Sequence, residues 1–357
     1  MLKKNICFFN INNFFIEVVY LWEILYYFKR YMRIKVIIFL LFISVGLRVR
    51  AQETLPIYFD YLSDNIFLIH PAAAGIGECG KIRLTARQQW AGVRNAPELQ
   101  TLSFHSKVSE DSKGGYGFIF FNDKNGFHSQ KAFQGTYAYH LFLGDENKFN
   151  QLSFGLSMSV VQNQVDQTSF FNDPIVSQII ESNMYLNSDL GMAYHYGGFS
   201  FYLTVKNLLL SARGNLNQKF ESLNLRNYIV GSSYFFGDKD KVQLEPSFMF
   251  QYKDRTGEKI IDLNIKGYKM LRNNQSQLWL GVSYRRGFEG NIFGDSSFVS
   301  SLIGLNYQKF MFGYMFTKQY GDIVFGDGNF HQLSFGMNVL CRKRRAAACP
   351  NINGSFF

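Results

Sequence analysis

The sequence predicts an all-β fold, a transmembrane antiparallel β-barrel of about 14 strands, from three observations. Apolar residues occupy every second position of segments such as 152–160 and 333–339, with glycine, serine or asparagine between them. Alternation of this kind gives a strand one apolar face and one small polar face. Aromatic residues make up 17% of the chain, yet its mean hydropathy is only −0.10. The third observation is that the connections between the segments alternate between short turns and long loops, as they do in a barrel that spans a lipid bilayer.

The chain begins with features of export rather than of the barrel. Residues 32–35 are basic, 36–47 are apolar, and the segment ends in Val49-Arg50-Ala51. This is the pattern of a signal peptide at 32–51, with the mature chain starting at Gln52. We interpret residues 1–31 as a mis-annotated upstream extension, because a signal peptide should begin at Met32; an additional membrane anchor is the alternative, which the Asn and Glu residues there oppose.

The net charge follows from this division. The whole chain carries +10, but residues 1–51 contain eight Lys or Arg and two Glu, so they hold +6 and leave +4. A basic balance that lies mostly in a targeting segment gives no reason to expect nucleic-acid binding.

Residues 52–80 lack alternation and are predicted to form an N-terminal arm or plug. The barrel is predicted to span 81–341, and a basic, cysteine-containing tail spans 342–357. The candidate strands lie near 81–91, 98–107, 115–123, 130–143, 149–163, 186–197, 199–206, 226–237, 241–252, 259–269, 276–286, 297–306, 309–317 and 331–340.

The connections between these strands predict the orientation of the barrel. Connections after even strands are mostly tight, as at 144–147 and 197–198. Several connections after odd strands are long, at about 164–185, 207–225, 287–296 and 318–330. Short periplasmic turns and long extracellular loops are typical of outer-membrane barrels, so both barrel ends should lie on the periplasmic side.

Alternation also predicts which side chains face the lumen. On the first strand Ile82, Leu84, Ala86 and Trp90 should point outward. The predicted inward residues are Arg83, Thr85, Arg87, Gln89, Gln243, Glu245, Ser247, Gln251, Asp262, Asn264, Lys266 and Arg285. A self-neutralising lumen, with charges of both signs paired, and a ligand-binding lumen both remain open. Pro246 removes one ladder hydrogen bond, so we expect a bulge there.

The tail after the last strand contains two cysteines and a basic run. A disulfide between Cys341 and Cys349 is expected in an oxidising compartment, and a zinc site is less expected because two cysteines are only half of one. The basic run could bind an acidic periplasmic partner or could simply be solvated. Its members are Arg342, Lys343, Arg344 and Arg345.

The densest motif runs from Asp64 to Ser106. It reads Asp64-Asn65-x-Phe67-x-x-His70-Pro71-Ala72-x-Ala74-Gly75, then Arg87-Gln88-Gln89-Trp90-x-Gly92, then Ala96-Pro97. Here the chain resembles the PorP/SprF family, outer-membrane proteins of the type IX secretion system in Bacteroidota. Leu244-Glu245-Pro246-Ser247, Asp262-Leu263-Asn264 and the Tyr284-Arg285 pair extend the resemblance. His70, Ala73 and Asn95 depart from the usual family pattern, which puts any role for those positions in doubt.

The resemblance implies an integral outer-membrane barrel of 14 strands without enzymatic activity or cofactor. It implies partners among periplasmic and outer-membrane secretion components and a secreted surface protein, in some members a gliding adhesin. The candidate motif or lumen residues are Pro71, Gly75, Arg87, Gln89, Trp90, Pro97, Glu245, Asp262 and Arg285. A barrel that transports small solutes or apolar ligands is the alternative function.

Catalytic motifs are missing from the sequence. The six histidines occur one per segment and show no metal-ligand spacing, and neither a Gly-x-Ser-x-Gly elbow nor a phosphate-binding Gly-rich loop is present. We therefore expect a protein that is not an enzyme and that holds no metal.

Overall fold

The computed structural model describes residues 62–90, 93, 95–109, 112–143, 150–168, 180–209, 226–238, 241–254, 257–271, 276–288, 296–321 and 328–341. Its strands are Gly80–Gln89 (β1), Glu98–Lys107 (β2), Gly114–Asn125 (β3), His128–Phe142 (β4), Asn150–Asp166 (β5), Ile180–Tyr196 (β6), Phe199–Lys206 (β7), Asn227–Tyr234 (β8), Val242–Lys253 (β9), Lys259–Met270 (β10), Ser276–Phe288 (β11), Ser296–Tyr307 (β12), Phe310–Gly321 (β13) and Asn329–Val339 (β14). Within the described residues, no helix is long and apolar enough to cross a membrane.

The strands form one closed barrel in which each strand pairs with its sequence neighbours and β1 pairs with β14. All pairs are antiparallel, and the seam aligns Gly80 with Val339 and Gln89 with Phe330. The predicted 14 strands are thus confirmed. The predicted loop 164–185 is shorter than expected, because β5 extends to Asp166 and β6 starts at Ile180. An even number of strands places the start of β1 and the end of β14 on the same rim.

The outer face carries the apolar side chains that alternation predicts. Leu84, Leu156 and Leu333 are 48%, 50% and 65% exposed, whereas Ser153 and Ser157 are buried. Exposed aromatic and aliphatic side chains recur on the other strands in the same phase. This apolar exterior is what a barrel presents to lipid.

The inner face differs between two parts of the barrel. On β4–β7 it consists largely of small and polar residues, including Thr136, Ser153, Gly155, Gly191 and Thr204. On β11–β14 it contains a buried apolar cluster. The members of that cluster from these strands are Trp279, Phe298, Leu302, Met311, Met315 and Phe330. The small polar inner row seen at 152–160 therefore does not extend around the whole barrel.

Residues 62–79, called here the luminal segment, lie inside the barrel. The segment contains two 3-10 turns, Ile66–Leu68 and Pro71–Ala73. Its side chains are buried against inward residues on both sides of the lumen. Leu62 and Ile69 belong to the apolar cluster, whereas Ala72 lies against Gly155 of β5 and Gly191 of β6. Backbone bonds such as Ala74 N–H to the Pro71 carbonyl (3.1 Å) satisfy the turns locally, which allows an irregular backbone to be buried.

The bulge predicted at Pro246 is wrong. β9 pairs with β10 in one continuous register, with Pro246 opposite Ile265. On its other side, the pairing of β9 with β8 ends at Ser233–Ser247 and returns only at the Phe236–Leu244 bridge. The missing N–H of proline thus interrupts the ladder without inserting a residue.

The predicted Cys341–Cys349 disulfide is also wrong, because Cys341 is bonded to Cys79. Cys79 immediately precedes β1 and Cys341 follows β14, so closure of the barrel brings these distant positions together at the seam. Cys349 and the basic residues Arg342, Lys343, Arg344 and Arg345 lie outside the described residues, as do the predicted signal peptide and the predicted upstream extension.

Candidate functional site inside the barrel

The luminal segment and the wall that holds it form the most specific arrangement in the described structure. At one end, the Asp64 carboxylate accepts a hydrogen bond from Arg83 Nη2 (2.7 Å) and lies 3.4 Å from Lys81 Nζ. Burial alone would raise the pKa of Asp64, but the positive charges of Lys81 and Arg83 lower it well below its usual range. Asp64 is therefore ionised and ties the segment to β1.

The next contacts join the segment to β2 and β3. The Asn65 side chain donates to Ser103 Oγ (2.9 Å). The Phe67 ring packs at 4.9 Å from the His105 ring, and its tip lies where a side chain on Gly117 would stand. The first 3-10 turn is thus placed by one polar and one aromatic contact.

His70 connects the middle of the segment to β7. Its Nδ1 lies 2.8 Å from Thr204 Oγ1, and its ring stacks on Tyr202 with centroids 4.7 Å apart. Burial, and then the positive charge of Lys206, lower the pKa of His70 to about 3. The imidazole is therefore neutral at physiological pH and acts as a hydrogen-bonding group.

The segment's backbone carbonyls are also bonded to the wall. Lys206 Nζ donates to the Leu68 carbonyl (3.0 Å), and His140 Nε2 donates to the Ala74 carbonyl (3.0 Å). Because the carbonyl can only accept, His140 carries its proton on Nε2, which leaves Nδ1 to accept from Ser153 or Gln151. Main-chain bonds of this kind fix the segment's position independently of its side chains.

Glycines on β3 and β5 allow the backbones of the wall and the luminal segment to approach each other. A Cβ on Gly155 would stand 2.3 Å from Ala72 N and Pro71 C, and one on Gly115 would stand 2.2 Å from the Ala74 carbonyl oxygen. Gly75 has φ +75° and donates its N–H to His105 Nδ1 (3.0 Å). Pro71 and Gly75, predicted from the family motif, are thus both in the interface between segment and wall.

The other predicted motif residues lie near the start of the β1–β2 connection. Arg87 and Gln89 are buried on the inner face of β1, as predicted. The Pro97 carbonyl accepts the Gln89 N–H (2.9 Å), which closes this connection. Trp90 does not point outward as predicted: its φ is +47°, which ends the strand's alternation, and its ring packs against the apolar cluster.

Asp262 and Arg285 lie directly opposite each other on β10 and β11 and are each 1% exposed. The guanidinium contacts both carboxylate oxygens, with Nη2 to Oδ2 at 2.6 Å. A buried bidentate pair satisfies both charges. The prediction that inward charges of opposite sign pair is therefore confirmed for these two residues.

Glu245 lies instead beside a partly open cavity between the luminal segment and β8–β10. Its Oε2 accepts a hydrogen bond from the Tyr268 hydroxyl (2.5 Å). Asp64, His70 and Lys266 also line this cavity. Among the residues that the structure describes, no group of three His, Cys, Asp or Glu side chains is arranged to hold a metal ion.

Sequence reasoning missed the wall residues that receive the segment. Alternation predicts that three of these residues face the lumen, because His140, Thr204 and Lys206 occupy inward positions on β4 and β7. It does not predict which group each of them binds. Gly155 interrupts the row of inward serines on β5, and Gly191 stands between the inward residues Asp189 and Ala193 on β6. Glycine at an inward strand position signals close backbone approach.

Comparison with known proteins agrees with this architecture. The family described as type IX secretion system membrane protein PorP/SprF matches residues 50–337. The chain belongs to this family. It is therefore an integral outer-membrane barrel of the type IX secretion system, and the first members of the motif that defines the resemblance are the residues of the luminal segment.

Similar solved structures are outer-membrane barrels with low identity. A Pseudomonas aeruginosa FadL homologue is 11% identical, with 75% of this chain and 92% of that one covered and a TM-score of 0.48. The Acinetobacter baumannii protein Omp33 is 6% identical, with 74% and 99% covered and a TM-score of 0.42. A search of curated proteins finds no relative of the chain.

Proposed function

We propose that this barrel is a plugged, non-enzymatic component of the type IX secretion system that supports secretion or surface attachment of specific proteins, such as adhesins, through contacts with periplasmic and secreted partners. Membership in the PorP/SprF family supports a role in type IX secretion. The luminal segment is the reason to favour a protein that acts through protein contacts over one that lets solutes pass. The working surfaces in this proposal are the two rims.

The observation that carries the proposal is the fixation of the luminal segment. It is bonded to β1 through Asp64, to β4 through Ala74 and to β7 through His70, and it buries side chains against the apolar cluster on the other side. A segment held from opposite walls obstructs the lumen. This arrangement favours a barrel that does not conduct over the alternative, a transport barrel for small solutes or apolar ligands.

Planar bilayer recordings test this choice. The purified mature chain should insert without steady conductance, and a variant that loses the segment's anchors, Asp64→Ala with His70→Ala, should show open-channel events. The exposed substitution Lys269→Ala is the matched control and should stay silent. A steady open pore in the unmodified protein would favour the transport barrel and contradict the proposal.

The partner-binding part of the proposal concerns the basic tail. Cys341 lies at the rim where β1 begins and β14 ends, and the basic run comes next in the sequence. Replacing Arg342, Lys343, Arg344 and Arg345 by Gln should leave insertion intact and reduce recovery of periplasmic type IX components after cross-linking. Equal recovery from the Gln variant and the unmodified chain would show that the run is only solvated.

Deleting the gene tests the system-level role. Surface amounts of one or a few type IX substrates should fall, and complementation with the intact gene should restore them. An unchanged surface proteome would contradict the proposal, whereas loss of every type IX substrate would contradict its specificity.

A further inference from the structure

We propose that the cavity between the luminal segment and β8–β10 binds a small single-chain amphiphile bearing one carboxylate, with Lys266 and His70 holding the carboxylate. The lining of the cavity combines groups of opposite character: the Lys266 ammonium and the His70 imidazole, and the apolar side chains of Leu62, Ile66 and Met249. Ligand sites in proteins combine an apolar lining with a few convergent polar groups in this way.

Lys266 provides the charge. Both carboxylates that line the cavity are already engaged, Asp64 by Arg83 and Lys81, and Glu245 by the Tyr268 hydroxyl. Among the described residues, Lys266 forms neither a hydrogen bond nor an ion pair of its own. Lys266 lies directly opposite Glu245 in the β9–β10 register, so it faces a carboxylate already. Lys81, Arg83 and Lys266 nevertheless give three cations to the two carboxylates of this part of the lumen, so one further anionic group can be neutralised here.

His70 provides a second contact. Its Nδ1 faces Thr204, whereas its Nε2 faces Gly231, where a Cβ would stand 3.4 Å away. The His70 side chain is 1% exposed, and within the described structure its Nε2 has no hydrogen-bond partner. In the tautomer in which Nδ1 accepts from the Thr204 hydroxyl, the neutral ring carries its proton on Nε2 and can donate it to a carboxylate oxygen, and this is the tautomer that the proposal requires.

The position of the cavity in the wall favours a chain-like ligand from the lipid phase. Ser232 and Phe248, which occupy outward positions on β8 and β9, also border the cavity. They lie next to the interruption that Pro246 causes in the β8–β9 ladder. An alkyl chain could pass a wall at this point with less disruption than at a fully bonded ladder, and burial of each CH₂ is worth about 0.8 kcal/mol.

Binding of octanoate to the purified full mature chain in a non-ionic detergent tests the proposal by calorimetry or native mass spectrometry. Octanoate should bind, octan-1-ol should bind more weakly, and Lys266→Met should weaken octanoate binding by about tenfold or more, as expected for loss of a charge-assisted contact. Lys269→Met, an exposed position on the same strand, is the matched control and should bind as the unmodified chain does.

A second variant guards against a folding artefact. Gly231→Ala adds one methyl at ordinary contact distance from His70 and should weaken octanoate binding while the unheated protein keeps its fast migration on SDS gels. The proposal is overturned if octanoate does not bind, if octanol binds equally well, if Lys269→Met is as damaging as Lys266→Met, or if a short apolar peptide with a free C-terminus binds and octanoate does not.

Discussion

The inner faces of β4–β7 and of β11–β14 enclose the same luminal segment with opposite chemistry. The first, called here the polar wall, offers hydroxyls, imidazoles and glycines, and it holds the segment through directed contacts such as His70–Thr204 and His140 to the Ala74 carbonyl. The second, called here the apolar wall, offers Trp279, Met311 and Phe330, which pack without directional bonds, and one polar contact, from Gln332 Nε2 to Ser63 Oγ (3.3 Å).

The difference indicates a division of roles. Hydrogen bonds to a backbone and close glycine contacts depend on geometry, so the polar wall specifies where the segment lies. Burial of large apolar side chains is non-directional and roughly proportional to area, so the apolar wall supplies stability with less positional demand. Substitutions on the two walls should therefore have different signatures.

The largest effect on the position of the luminal segment should come from Gly155→Ala on the polar wall. The new Cβ would overlap Ala72 N and Pro71 C at 2.3 Å, and neither backbone can retreat as a flexible side chain would. We expect displacement of the luminal segment, a cost of more than ~3 kcal/mol, seen as new channel openings in bilayers and faster proteolysis within residues 62–79.

The matched control is Gly135→Ala, which lies on the outer face of β4 with its nearest contact at 4.0 Å. It should change neither readout. If Gly155→Ala leaves the lumen closed and the segment protected, the polar wall does not position the segment.

Trp279→Ala on the apolar wall should lower stability without releasing the segment. Trp279 is 3% exposed and lies over Gly304, so its loss leaves a cavity at a cost of about 3–5 kcal/mol. Urea unfolding in vesicles should show the loss, while proteolysis of residues 62–79 under native conditions stays slow. Phe312→Ala, at a lipid-facing position, should cost much less. Release of the segment by Trp279→Ala would refute the division of roles.

The Cys79–Cys341 disulfide joins the end of the luminal segment to the strand β14 of the apolar wall. Cys79→Ser should destabilise the barrel by about 2–4 kcal/mol, measured as a lower temperature for loss of the fast-migrating gel band. Cys349→Ser should have no such effect. Peptide mapping without reductant should recover the peptides of Cys79 and Cys341 linked; a Cys341–Cys349 link would contradict the structure.

The sequence predicted the barrel because every strand carries its own alternation, and that signal is local. Contacts of the luminal segment are not local: Lys206 lies 138 positions from Leu68, and Cys79 lies 262 from Cys341. Nothing in a short window pairs such positions. Pro71 and Gly75 were found through a family motif, but their role became clear only from the glycines opposite them. Trp90 was misplaced because one positive φ ends the period of two.

The smallest effect should be a pH dependence carried by His70, the directed contact of the polar wall. The pKa of His70 is lowered to about 3 when the segment is docked, so the undocked state, with a pKa near 6.5, binds more protons between these values. Docking should therefore be fully stable above about pH 6.5, so that His70 has no effect of this kind at neutral pH, and should weaken progressively as pH falls toward 3.

His70→Gln should remove this part of the pH dependence, because the amide keeps a neutral hydrogen-bonding group that does not titrate. The other luminal histidines, His105, His140 and His195, and the acidic and basic groups of the cavity remain in both proteins, so the difference between the two proteolysis profiles from pH 7 to pH 4 isolates His70. His128→Gln, at an exposed strand end, is the control. If the proteolysis rates of the unmodified chain and of His70→Gln change with pH in the same way, His70 positions the luminal segment but its protonation does not affect docking.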